Sequence, residues 1–147
     1  MKTILSISVL AVLLAVAPSP CFAMTEVYHV SRERAKELGM AIRSKASGTN
    51  AVWVELEFKA EGRLKDYDPE HRNSRVELRI MEGERLLLGY AAMRETRASS
   101  GSIVVGFMTD RAYLEKITLW VVVGSGELSG GAYELRVKDF VEPEKVR

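Results

Sequence analysis

The densest run of side chains able to do chemistry is Asp66-Tyr67-Asp68-Pro69-Glu70-His71-Arg72-Asn73. It lies inside a stretch from Glu61 to Arg75 that carries neither a strand nor a helix pattern. Connections longer than about 12 residues in a compact domain are often functional. Side-chain oxygens of Asp66, Asp68, Glu70 and Asn73 could ligate a hard cation such as calcium, which takes six to eight oxygens. Against that, the run lacks the glycine turn and distal glutamate of an EF-hand loop. Lys65 and Arg72 would oppose a cation. Asp68-Pro69 is an ordinary turn starter. The favoured expectation is a solvated polar loop in which Asp66, Asp68, Glu70 and His71 are the candidate binding residues. Calcium is the lesser alternative. No metal site and no cofactor are assigned.

Other constellations carry less. The chain has 2 histidines, His29 and His71. His29 and Glu33 would make a metal pair only on a helix already running through His29, and Ser31 is the better helix cap there. A serine nucleophile needs an adjacent base, and no Gly-x-Ser-x-Gly turn occurs. Glu55 and Glu57 share a strand face about 7 Å apart, a spacing compatible with glycosidase carboxylates. Strand alternation produces such a pair without any catalytic purpose. Gly124-Ser125-Gly126 lacks the lysine and following helix of a phosphate loop. The expectation is a protein that is not an enzyme. Trp53 stands apart, because it sits on the charged face of its run. There it can be a protein or sugar contact or, more commonly, a cover for the core rim. Trp120, inside an apolar run, is expected in the core.

The first 23 residues suggest where these groups work. Met1-Lys2 is a positive start, Ile4 to Val16 is a short apolar run, and Pro18 and Pro20 end any helix. Cys21-Phe22-Ala23 then offers a cut after Ala23, the layout of a secretory signal peptide. The run falls short of the ~20 apolar residues of a membrane span. Pro20 fits poorly before a lipid-bearing cysteine. The expected product is a single domain, residues 24–147, in the periplasm or secreted. Without Lys2 the 21 basic residues fall level with the 20 acidic ones. That balance argues against nucleic acid, which calls for a basic stripe, and against electrostatic docking on anionic lipid. The 1 cysteine lies in the signal, so the domain has no disulfide and leans toward a bacterial exported protein.

The elements that must position these residues alternate with period two, the mark of half-buried strands. Val52, Val54, Leu56 and Phe58 alternate with Trp53, Glu55 and Glu57. Val76, Leu78 and Ile80 alternate with Glu77 and Arg79, and Tyr133, Leu135 and Val137 with Glu134 and Arg136. Further strands are expected over 40–46, 86–93, 103–108 and 117–123, the last as the central one. Ser31 can cap a short helix closed by Gly39, with Val30 and Ala35 as a hydrophobic staple. Arg34 occupies the place where a capping box wants Glu or Gln.

Seven to eight short strands and one short helix predict an all-β protein, an antiparallel β-sandwich of the immunoglobulin-like type. Leu128 to Val137, a glycine bend leading into Tyr133 and alternating apolar residues, resembles the tyrosine corner of that family. The resemblance implies architecture alone. The functional expectation is an exported, non-catalytic module that binds another protein or supports an envelope assembly. The alternative is a ligand- or calcium-binding domain, less readily an enzyme, built on the Asp66–Asn73 loop. Mass spectrometry of the protein recovered from its own cells should find Met24 at an unmodified amino terminus. An intact Met1, or a lipid on Cys21, would defeat the export reading.

Overall fold

A computed structural model describes residues 26–93, 96–125 and 128–141; the expected signal peptide, 1–23, lies outside the described residues. The strands are, in chain order, β1 (Val27–His29), β2 (Ala41–Ala46), β3 (Ala51–Phe58), β4 (Arg75–Glu82), β5 (Arg85–Met93), β6 (Thr96–Arg97), β7 (Ile103–Asp110), β8 (Ile117–Ser125) and β9 (Leu128–Arg136). They form two sheets, ordered β1-β9-β8-β4-β5 and β2-β3-β7-β6. Neighbours are antiparallel, apart from the parallel pair of β1 and β9. The protein is mostly β and sandwich-like.

The alternating rows explain the pairing of the two sheets. Val52, Val54, Leu56 and Phe58 of β3 join Ile103, Val105 and Phe107 of β7 in one buried cluster. The same cluster takes Val76 of β4, Ile117, Leu119, Val121 and Val123 of β8, and Leu135 of β9. Each such side chain contributes about 1.5–3 kcal/mol when fully withdrawn from water. As expected, β8 is the middle strand of its sheet.

Helix α1 (Arg32–Glu37) forms where its caps allow it. The Ser31 hydroxyl accepts from the Arg34 N–H at 3.2 Å. Val30 and Ala35 are buried as a staple, and Gly39 ends the turn at φ +68°. The glutamate missing at Arg34 has a substitute one position earlier. Hydrogen bonds from its own backbone N–H and from the Ser31 hydroxyl hold the Glu33 carboxyl below the usual carboxylate range.

Three expectations need correction. The described residues hold nine strands rather than seven or eight, because β1 and β6 have only 3 and 2 residues and are too short to show alternation. Trp120 is not in the core. Alternation puts Leu119 and Val121 inward and sends Trp120 to the outer face of its sheet. Tyr133 does not open a strand after a bend, since β9 already begins at Leu128. Its ring instead stacks on Tyr28 of β1, with centroids 5.5 Å apart.

The core makes a quantitative expectation. Leu119 is fully buried, and Leu119→Ala should lower the unfolding free energy by about 2–5 kcal/mol in a denaturant titration. Val121→Asp should not fold, because it buries an unpaired charge in the middle strand.

Candidate functional site

The connection from Phe58 to β4 is built from the inside. Leu64 and Tyr67 are buried, and the Tyr67 ring meets Phe58 edge-on at 4.9 Å. At the far end the Ser74 hydroxyl donates to the Gly124 carbonyl at 3.1 Å and accepts from the Asp68 N–H at 3.1 Å. Gly124 has to be glycine, because a Cβ there would lie 2.3 Å from that of Asn73. Asp68 turns its carboxylate onto the Glu70 N–H at 3.0 Å, and His71 Nδ1 accepts from the Asn73 N–H at 3.2 Å. Asp66 and Glu70 are exposed. The fold thus uses Asp68 and His71 to shape the turn and does not gather the acidic side chains. No group of three or more His, Cys, Asp or Glu able to hold a metal occurs among the described residues.

Trp53 lies on the outer face of the four-stranded sheet and is 38% exposed. It pairs across the sheet with Met108, itself 54% exposed. The indole covers Gly106, where an added Cβ would come within 2.2 Å of the ring. A missing side chain on β7 therefore seats the tryptophan flat on the sheet. Of the neighbouring carboxylates, Glu57 meets Arg43 at 3.1 Å.

The outer face of the five-stranded sheet holds a network that sequence reasoning missed. Glu77, Trp120, Glu134 and His29 are register partners across four strands, β4, β8, β9 and β1. Glu77 is only 1% exposed, clamped by Arg75 at 2.6 Å and Arg79 at 2.9 Å. The Arg79 guanidinium lies 3.3 Å from the Trp120 ring centroid, a cation–π contact of about 0.5–2 kcal/mol. The indole N–H donates to Glu134 at 3.1 Å, and Glu134 also faces His29 and Arg136 at 3.5 Å each. The charged residues of β4 and β9 were legible as a strand face. Their alignment was not, because it depends on register between segments more than 40 residues apart.

The hairpin of β4 and β5 carries an exposed run of apolar side chains. Leu86, Leu87 and Leu88 are 42%, 38% and 57% exposed. Two register shifts explain how three consecutive leucines reach water. Ile80 pairs with Leu88 and Met81 with Leu86, which leaves Leu87 as an extra residue on β5. A second shift between Leu78 and Ile80 adds another. Bulges bend a strand and re-aim its side chains.

Set beside protein-family models, curated proteins and solved structures, the chain matches none of them. The site is therefore defined by its own geometry. Its testable core is the Glu77 clamp, where a nearly fully buried carboxylate is bonded by two arginines. Glu77→Ala should cost about 1–3 kcal/mol in chemical denaturation, since the arginines left behind are partly exposed, and Trp53→Ala, which uncovers Gly106, about 1–2 kcal/mol without unfolding the domain.

Proposed function

We propose that this protein is an exported, non-catalytic β-sandwich module that binds another protein or supports an envelope assembly. The observation that carries the reading is the leucine tip of the β4–β5 hairpin. Three adjacent large apolar side chains in water are a cost unless something covers them, and contiguous exposed apolar patches mark interaction sites. The bulges interrupt the edge of β5, and bulged edges resist pairing with a further strand. Recognition through side chains fits this geometry better, with leucines entering a partner's pocket as anchors.

The non-catalytic part of the reading is supported by where the polar side chains are committed. Glu77 is held by two arginines, Glu134 by Trp120, and Asp68 by its own turn. Export is supported by the layout of residues 1–23. The immunoglobulin-like reading is supported by strand order. β2-β3-β7-β6 is compatible with the four-strand sheet order of that fold and β9-β8-β4 with the three-strand one, with β5 added at one edge and β1, parallel to β9, at the other. Helix α1 between β1 and β2 is a departure from it. A second contact surface, the Trp53–Met108 face, is favoured by one specific observation, the glycine that seats the indole.

Photocrosslinking side chains placed at Leu87 and, separately, at Met108 would test the reading in whole cells expressing the full chain. The Leu87 probe should capture a discrete protein partner. Leu88→Lys should cut the yield at least tenfold while the melting temperature stays within a few degrees. Capture through Met108 that is lost in Trp53→Ala would move the contact to the other sheet. No capture at either position would end the proposal.

A further inference from the structure

Overall charge is nearly balanced, at +1 for the whole chain, but it is not evenly spread. An open groove of about 440 Å³ runs between the end of α1 and the start of the 61–74 connection. Its charged lining comes from three segments of chain: Arg34, Lys36 and Glu37 from the helix, Lys59 just after β3, and Glu61 and Arg63 from the connection. Four cations therefore face two carboxylates. Arg34 is paired with Glu37 on the helix surface. Lys36, Lys59 and Arg63 make no ion pair or side-chain hydrogen bond among the described residues; Glu61 shares the lining with them, and Glu33 lies within electrostatic reach of Lys36 on the helix.

Packing explains why these cations stay together. Leu64 and Phe58 are buried on either side of the Lys59–Arg63 segment, so the chain between them is fixed at both ends. Val30 and Ala35 fix α1 in the same way. With four cations against two carboxylates the lining is net positive and favours an anion. Two glycines, Gly39 and Gly62, lie in the lining with open space where a Cβ would stand. The groove falls in the size range of small-molecule sites, roughly 300–1,000 Å³.

We infer that this groove binds a ligand carrying an anionic phosphate or sulfate ester on a body of about sugar size, with Lys36, Lys59 and Arg63 as its anchors. The site is independent of the leucine tip, which lies on the β4–β5 hairpin and contributes nothing to the lining. The ester could be a soluble molecule or the headgroup of an anionic lipid or envelope polymer. The chemistry recognised is the same.

Two arms of one experiment separate these sources. Isothermal titration of the protein with inorganic pyrophosphate should give a saturable, salt-sensitive signal, weakened at least tenfold in Lys59→Gln/Arg63→Gln and unchanged in Lys138→Gln, a cation away from the groove. Co-sedimentation with phosphatidylglycerol vesicles, against phosphatidylcholine controls, reads the lipid source with the same variants. Binding in either arm that is lost only in the groove variant supports the inference and assigns the source. Circular dichroism and melting temperature must match wild type for that variant; if they do not, Lys36→Gln/Lys59→Gln replaces it. Absence of binding in both arms at millimolar probe, or binding that persists in the groove variant, overturns it.

Discussion

Side chains on a strand alternate, so Ile117, Leu119, Val121 and Val123 cannot enter the common core without sending Thr118, Trp120 and Val122 the other way. β8 is the middle strand of five, so its outer face has neighbours on both sides and is closed over by them. Thr118 and Val122 are buried there despite pointing away from the core. Long side chains do the covering. Arg79 lies across Trp120, Arg75 and Arg79 close over Glu77, and Glu134 holds the indole N–H. The core and the polar network are thus two consequences of one geometric rule. A buried carboxylate survives on that face because both its oxygens are taken by guanidinium groups.

The same rule sorts the rest of the surface into groups already engaged and groups left over. Charged residues on β3 and β4 are mostly matched by neighbours, as Glu57 is by Arg43. In the Asp66–Asn73 segment, richest in chemistry on paper, Asp68 and His71 are taken up in shaping turns, and the adjoining Ser74 ties the segment to Gly124. What remains unmatched lies elsewhere: the leucine tip, the Trp53–Met108 pair, and the cations of the groove beside α1. Each is left over for a different physical reason. Bulges displace the leucines, an absent side chain at Gly106 seats the tryptophan, and fixed chain ends hold the cations close to one another.

Much of the fold was readable residue by residue. The strands from β2 to β5 and from β7 to β9, the Ser31 cap, the Gly39 stop and the central place of β8 all follow from local patterns. Leu86 to Met93 was readable as a weakly alternating strand, but its bulges were not, since they exist only relative to β4. Trp120 was misjudged for a related reason. A continuous apolar run conceals which half of its residues faces the core, and the phase is set by the partners across the sheet. Tyr133 was misplaced because the glycine-rich segment ahead of it is recruited into β9 by pairing with β8, against its own weak strand preference.

Taken alone, the amino-acid sequence determined the class of structure: which segments become the longer strands, where helix α1 starts and stops, and that charge is balanced overall. These are local properties, set by alternation, capping and composition within a few residues. Only the tertiary structure decided what the surfaces can do. The rung from Glu77 to His29, the seat of Trp53 on Gly106, the splayed leucines and the groove of unmatched cations each bring together residues distant in the chain. Their positions depend on register and packing, which arise from many weak contacts formed at once and are written in no single stretch of sequence.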